Sequence, residues 1–582
     1  MILLLLTAPA CLSAQQPDQP PGPPPPPVIE PANAPAPPAG PLFTVHGVVL
    51  NAVSNEPLPH ALVRIEGDAE TGALTDGEGR FEIPQVPSGP QSFQIVKPGF
   101  SDNSGLDQMA GSHNVLVAAA MPELRFRLVP TAVLYGQIAL SSGDPGIGLH
   151  LHLLRQNIAD GRARWQMASR GTTGSDGNFR FSGLSAGDYL LYTEPALESQ
   201  EISPLIQSGH GAAVERFGFP SVFYPQARSM AGAEKIHLGS GDRVQANLTL
   251  TLEPFHTVTA LVTLPHGRTP TPEEANLRPQ VLDLSGQPLL YNADFNAATR
   301  TVQASLPDGD YTLLLSSAQN FARQQLMRRN HPGDGVQPPE FLSGAVNFTL
   351  AGHPLEGLVL PLSAPPANTA QLTLLRSPDH AGAARTEPSG PINIVGAQIG
   401  SPLGNGMTIP FAFNLKPGQN PAAIPPPGEY WLRVYTMDPV FCVQSLTAGG
   451  MDLAHEPLHV GLNGAIPPME LVLRDDCAKL TLSLPPALNQ LAAGEEQAYT
   501  VYVVPAIDSP VSLLPITLRA TSGGSVPLSG LTPGPYRVFT FDRSVELEVH
   551  NPDALAALPH PGQAVTLQPN GAVDLVVEVP QP

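Results

Sequence analysis

The chain has little cysteine, little tryptophan and little charge. Its 582 residues include three cysteines and two tryptophans, and 14% of them are charged. Basic groups are scarce: 29 Lys and Arg stand against 50 Asp and Glu, a formal charge of −21. That field would repel a phosphate backbone, which excludes nucleic acid as a partner. Helical periodicity is almost missing. Beyond the first residues no apolar run approaches the roughly 20 residues that a membrane-spanning helix needs, so no transmembrane segment is expected. No phosphate-cradling glycine loop and no Cys-x-x-Cys pair occurs, so the sequence marks no nucleotide or dithiol site.

Proline and glycine are abundant instead. With 69 and 54 copies they make 123 of 582 residues, below the roughly 25–30% of wholly low-complexity chains, so the body is expected to fold. At roughly 100–200 residues per domain it holds several domains. Residues 1–14, MILLLLTAPACLSA, have the length and apolarity of a signal peptide, with cleavage after Ala14, although no Lys or Arg precedes the apolar run. Cys11 follows Ala8 and Pro9, a poor lipobox, and whether it is lipidated stays open. After export only Cys442 and Cys477 remain, and in an oxidising compartment they form either a disulfide or two buried thiols. Residues 15–41 carry 13 prolines without apolar periodicity and read as an extended spacer.

From Leu42 onward, short alternating runs are separated by Gly, Pro, Asp and Asn clusters, the signature of many strands. In FTVHGVVLNAVSNEPLPHALVRIEG (43–67) Val45, Gly47 and Val49 share a face, and a polar turn leads to Ala61, Val63 and Ile65. In TDGEGRFEIPQVPSG (75–89) Asp76-Gly77 makes a tight turn, Phe81 and Ile83 point inward, and the strand is expected to end at Pro84. SDGNFRFSGLSAGDYLLY (175–192) repeats the unit. Its closing Gly-x-Tyr recurs in PDGDYTLLL, PPGEYWLRVY and TPGPYRVFTF, so that Tyr189, Tyr311, Tyr430 and Tyr536 stand 122, 119 and 106 residues apart. These are domain lengths. Terminal alternating strands, LRFRLVP, ANLTLTLEP, GLVLPLS, MELVLRD and VDLVVEV, close five modules. Two helices are predicted as loop decorations, at 321–329 and at 551–558, the latter with Asn551 as N-cap and Pro552 at the first helical position.

GVVLNAVSNEPLPHALVRI followed by TDGEGRFEIPQVPSG resembles the carboxypeptidase regulatory-like domain, a transthyretin-like or prealbumin-like β-sandwich. That domain accompanies some zinc carboxypeptidases and occurs alone in many exported bacterial proteins. The resemblance extends to residues 136–192, and FPSVFYPQARSMAGAEKIHLGSGDRVQANLTL, VFCVQSLTAGGMDL and GLTPGPYRVFTFD are similar to long multi-sandwich members. The first module departs from the pattern, with Phe93 where tyrosine is usual. The resemblance implies the fold and export. It implies no reaction, because the regulatory domain is not the catalytic one.

Several strings invite a chemical reading. His455-Glu456-Pro457-Leu458-His459 spells a zincin motif, whose chemistry needs a helix to put both imidazoles on one face. Pro457 interrupts it, and Leu458, Val460 and Leu462 alternate as a strand. His353-Pro354-Leu355-Glu356 matches a carboxypeptidase metal pair in letters, but its surroundings read as a module's last strand. His150 and His152 share one strand face and could hold a metal with a third ligand, although two solvent-facing histidines is the favoured reading. Asp76-Gly77-Glu78-Gly79 reads as a hairpin turn rather than a calcium loop. If Tyr430, Leu432 and Val434 face the core, Trp431, Arg433 and Tyr435 share the opposite face, where they could stack on a sugar ring, contact a protein or be covered by a neighbouring module. Trp165 is expected in the core.

The chain is therefore read as all-β, a tandem array of about five antiparallel sandwiches, transthyretin-like or immunoglobulin-like. The expected divisions are a signal peptide (1–14), a proline-rich linker (15–41) and sandwiches over 42–129, 130–254, 255–363, 364–475 and 476–582. The expected function is non-enzymatic binding, adhesion or scaffolding at the cell envelope, with a polysaccharide or another envelope protein as partner and no cofactor. Carbohydrate binding through Trp431, Arg433 and Tyr435, on a starch-binding-like fold, is the alternative, and a metal-dependent peptidase the distant one.

Overall fold

The computed structural model describes residues 41–579 apart from 67–70, 103–111, 120, 160, 198–215, 266–276, 285, 287, 318–341, 365–367, 376–387, 400–407, 413, 423–424, 426, 487, 489–497, 507–515, 520–524 and 543–544. The expected signal peptide, Cys11, the proline-rich linker up to residue 40 and the helix at 321–329 lie outside the described residues.

Alternation along each strand builds five β-sandwiches in succession. In the first, Val45 and Val49 of strand Leu42–Asn51, Val63 and Ile65 of Leu62–Ile65, and Phe81 and Ile83 of Arg80–Pro87 meet in one apolar interior. Four further interiors follow, centred on Leu134, Leu151 and Tyr189; on Val258, Val302 and Leu313; on Ile394, Tyr430 and Leu471; and on Leu480, Val501 and Tyr536. Each is formed by two facing sheets.

The sheets are antiparallel with one recurrent exception. Every module's opening strand pairs in parallel with its closing strand: Leu42–Asn51 with Leu124–Pro130, Ala132–Leu140 with Arg243–Gln245 and Leu248–Leu250, Glu253–Thr263 with Leu355–Pro361, Thr369–Leu375 with Met469–Arg474, and Ala478–Ser483 with Ala572–Val576. A chain that leaves a module in the direction in which it entered can start the next one after a short link.

The Gly-x-Tyr element has a physical cause. Gly187, Gly309 and Gly534 adopt positive φ (149°, 157°, 149°), a region that side chains resist, and this turn carries the chain into the next strand. Two residues on, the buried phenol donates a hydrogen bond to the carbonyl four residues back: Tyr189 to Ser185 at 2.6 Å, Tyr311 to Pro307 at 3.0 Å and Tyr536 to Thr532 at 2.7 Å. Burial pushes the Tyr536 hydroxyl up to about 12. In the first module Gly89 also has positive φ, and the tyrosine's place is taken by Gln91, whose amide donates to Pro87 O at 3.2 Å. Phe93, expected to replace the tyrosine, sits two residues further along as ordinary core. Tyr189→Phe, Tyr311→Phe and Tyr536→Phe should each cost about 1 kcal/mol in denaturant unfolding, because the carbonyl loses its partner while ring packing is kept.

Two further expectations change. Strand Arg80–Pro87 runs past Pro84, because Gln85 takes a left-handed conformation (φ 60°) in an irregularity opposite Phe43 and Val45. Trp165 packs not between the sheets of the second module but on the outside of one of them. There Leu154, Leu190, Tyr192 and Phe223 form a second apolar layer with Met167 and Met230. Strand Gly187–Thr193 is thus buried on both faces. The helix Pro552–Ala556 forms as its sequence predicts, with Asn551 accepting from the backbone of Asp553 and Ala554. No helix among the described residues is long and apolar enough to cross a membrane.

The modules are joined by more than their links. Strands Ala196–Leu197 and Arg216–Phe219, which follow the Gly-x-Tyr strand of the second module, extend the sheet of the third through strand Glu253–Thr263. Cys442 in the fourth module is bonded to Cys477 at the entry to the fifth, with their Cα atoms 5.8 Å apart.

Candidate functional site

The zincin-like string does not form a zincin site. Leu453, Ala454 and His455 make a turn, with the Glu456 N–H bonded to Asp452 O at 3.0 Å, and His459 lies in strand Leu458–Val460 beside Glu429. His353 is exposed in a turn and bonds Ala351 O at 2.8 Å, while Glu356 is exposed in strand Leu355–Pro361. Residues 183–187, Gly-Leu-Ser-Ala-Gly, have the spacing of a serine nucleophile elbow, but they join strand to strand where that elbow needs a strand-to-helix turn, and the Ser185 carbonyl is held by Tyr189. His150 and His152 do share a strand, yet only His150 faces solvent. His152 is 4% exposed, stacked on Tyr192 at 5.0 Å and hydrogen-bonded to Glu194, because the outer apolar layer roofs this part of the sheet. Among the described residues no group of three or more His, Cys, Asp or Glu could hold a metal.

The aromatic row of the fourth module is laid out by strand Gly428–Thr436. Tyr430, Leu432 and Val434 are buried in the interior, which leaves Trp431, Arg433 and Tyr435 on the other face. Across the sheet they stand beside Ala397, Val395 and Asn393. Tyr435 is 38% exposed, and the Arg433 guanidinium lies 5.6 Å from its ring centre. Trp431 is half-buried, and what lies against it comes from another module. The guanidinium of Arg162, from the second sandwich, sits 3.5 Å from the Trp431 ring centre and donates to Ala454 O at 2.9 Å. Such a cation–π contact contributes roughly 0.5–2 kcal/mol, depending on desolvation.

Arg162 is delivered by a long hairpin, strands His150–Ala159 and Arg162–Thr172. Its tip also reaches the fifth module. Gly161 O accepts the His550 N–H at 3.1 Å, the Ile158 N–H meets Glu546 at 3.5 Å, and Arg155 pairs with Glu546 at 3.8 Å. His550 is held down to about 4, first by burial and then by the surrounding Arg162, His455 and Arg164, each of which disfavours its charged form. The row read from the sequence is thus one wall of a junction among three modules. Arg162, Glu546 and His550 escape sequence reading, since nothing local in a hairpin tip says which distant module it meets.

Residues 44–120 match the family model of the carboxypeptidase regulatory-like domain. No curated protein matches the chain in sequence. Among solved structures, the chain is similar to a streptococcal ancillary pilin (12% identity, TM-score 0.19, 56% of this chain and 100% of that one). It is also similar to two B repeat units of the collagen binding protein of Staphylococcus aureus (9% identity, TM-score 0.14, 71% and 93%). A third similarity is to the Bacillus anthracis TIE protein (13% identity, TM-score 0.15, 55% and 51%), about half of whose length is spanned. The family match over the first sandwich, with its tight Asp76-Gly77 turn and its parallel pairing of first and last strands, makes this chain a multi-sandwich protein that carries a carboxypeptidase regulatory-like domain.

Proposed function

We propose that the chain is an exported, non-enzymatic array that acts at the cell envelope as a binding, adhesion or scaffold protein. Its units are the sandwiches over residues 42–129, 130–254, 255–363, 364–475 and 476–582. One observation carries the reading: strand Gly428–Thr436 spends one face on the core and lines up Trp431, Arg433 and Tyr435 on the other, where Tyr435 is exposed and Arg162 of the second sandwich lies over Trp431. A flat aromatic and guanidinium row on a rigid strand suits recognition of a surface, since its side chains are already ordered before a partner arrives. The regulatory-like first domain and the turn-and-strand geometry at His455 and His459 support the same reading.

Hydrolysis of a general protein substrate, measured with and without chelator, tests it. Activity sensitive to chelator and lost in Glu456→Ala would replace it with a metal-dependent peptidase; equal background rates in wild type and Glu456→Ala are expected. Carbohydrate binding is the second reading, favoured by the ring pair Trp431 and Tyr435. It predicts retention of the chain on one insoluble polysaccharide with at least tenfold weaker retention for Trp431→Ala, the loss of about 1.4 kcal/mol or more. Equal retention of the variant would remove the row from the site.

A further inference from the structure

The hairpin tip of the second sandwich meets two modules that lie far from it in sequence. Arg162 covers Trp431 and caps Ala454 O of the fourth module, while Gly161 O and Arg155 engage His550 and Glu546 of the fifth. The fit at the tip is close. Gly161 is buried with φ +70°, and a Cβ there would lie 2.0 Å from Val549 Cγ2.

We propose that this tip is a latch that holds the second, fourth and fifth sandwiches together with Trp431 covered, and that protonation of His550 releases it and exposes the aromatic row. The charges around His550 set the direction. From the hairpin it is faced by Arg162 and Arg164, and from the fourth module by His455. On its own segment Glu546 is engaged by Arg155, and Glu548 by the Asn551 amide. A proton on His550 therefore adds a cation beside the Arg162 and Arg164 guanidinium groups, whose charge disfavours it while the tip is docked. In the released state His550 would titrate at the ordinary imidazole value, so acid favours release.

The test uses the chain's two tryptophans. Trp165→Phe leaves Trp431 as the sole emitter. In that background we expect low acrylamide quenching at neutral pH, then a red shift and a rise in quenching on acidification, with a midpoint between about 4 and 6.5. Arg162→Ala and Gly161→Ala should show the exposed signal already at neutral pH. The second variant leaves every charge in place, so agreement of the two assigns the effect to docking rather than to charge, and a retained cooperative melt certifies folded modules. His550→Gln should stay quench-protected throughout. Identical quenching of the Trp165→Phe parent and both tip variants at neutral pH would overturn the latch. An unchanged acid transition in His550→Gln would overturn its release by that histidine.

Discussion

Reducing the disulfide between Cys442 and Cys477 is expected to lower the stability of the fourth and fifth sandwiches by about 3–4 kcal/mol, the scale for closing a loop of this length. The cysteines are 35 positions apart, and the bond joins strand Cys442–Ala448 of one module to the residue preceding strand Ala478–Ser483 of the next. Cross-linking there restricts two unfolded segments at once and fixes the angle between modules. Neighbouring contacts depend on that angle: Thr532 Oγ1 donates to Val443 O at 2.8 Å, and a Cβ on Gly530 would touch Pro439 at 3.4 Å. Scanning calorimetry of the whole chain with and without reductant should show the late-module transition fall by roughly 10 °C or more. Cys442→Ser should reproduce the shift, and the transitions of the first three sandwiches should not move. Coincident scans would mean that the bond adds nothing to either module.

An equally large effect is expected from one methyl group at Gly136. A Cβ there would lie 1.9 Å from Ala246 O, 2.7 Å from Ala246 C and 2.9 Å from Phe179 Cζ. The obstacle is backbone, which cannot rotate aside as a side chain would. Gly136 also sits between the two stretches where strand Ala132–Leu140 pairs in parallel with the module's closing strands, 133–135 with 243–245 and 138–140 with 248–250. Gly136→Ala must therefore spread the sheet or break the pairing, at about 4 kcal/mol or more, the range that marks a failure of core geometry. Gly77→Ala is the control, since a Cβ there meets nothing within 4 Å and should stay within about 0.5 kcal/mol of wild type. Urea unfolding of the two variants measures the difference.

These glycines also show what the sequence makes legible. Strands, turns and the five-fold recurrence follow from local alternation and from dipeptides such as Asp76-Gly77, and the inward faces of strands 42–51, 62–65 and 80–87 come out as read. What escapes is set by distant partners. Gln91 stands in for tyrosine because an amide can reach Pro87 O as a phenol reaches Ser185 O, an equivalence of geometry rather than of residue type. His152 is buried and Trp165 lies outside the sandwich because a later segment around Phe223 folds over their sheet. Alternation sorts the two faces of a strand but does not say which faces are roofed. The row Trp431, Arg433 and Tyr435 was legible for the same reason the strand was. Its neighbour Arg162 was not, being 269 positions earlier in the chain.

The proposed role of the sandwiches is surface recognition without chemistry. Passing purified wild-type, Trp431→Ala and Glu456→Ala chains over isolated envelope fractions and a polysaccharide panel tests it most directly. Saturable retention on one discrete component is expected, undiminished in Glu456→Ala. If the component is a glycan, retention should depend on Trp431. No retention on any fraction, together with chelator-sensitive turnover of a substrate that Glu456→Ala abolishes, would contradict it.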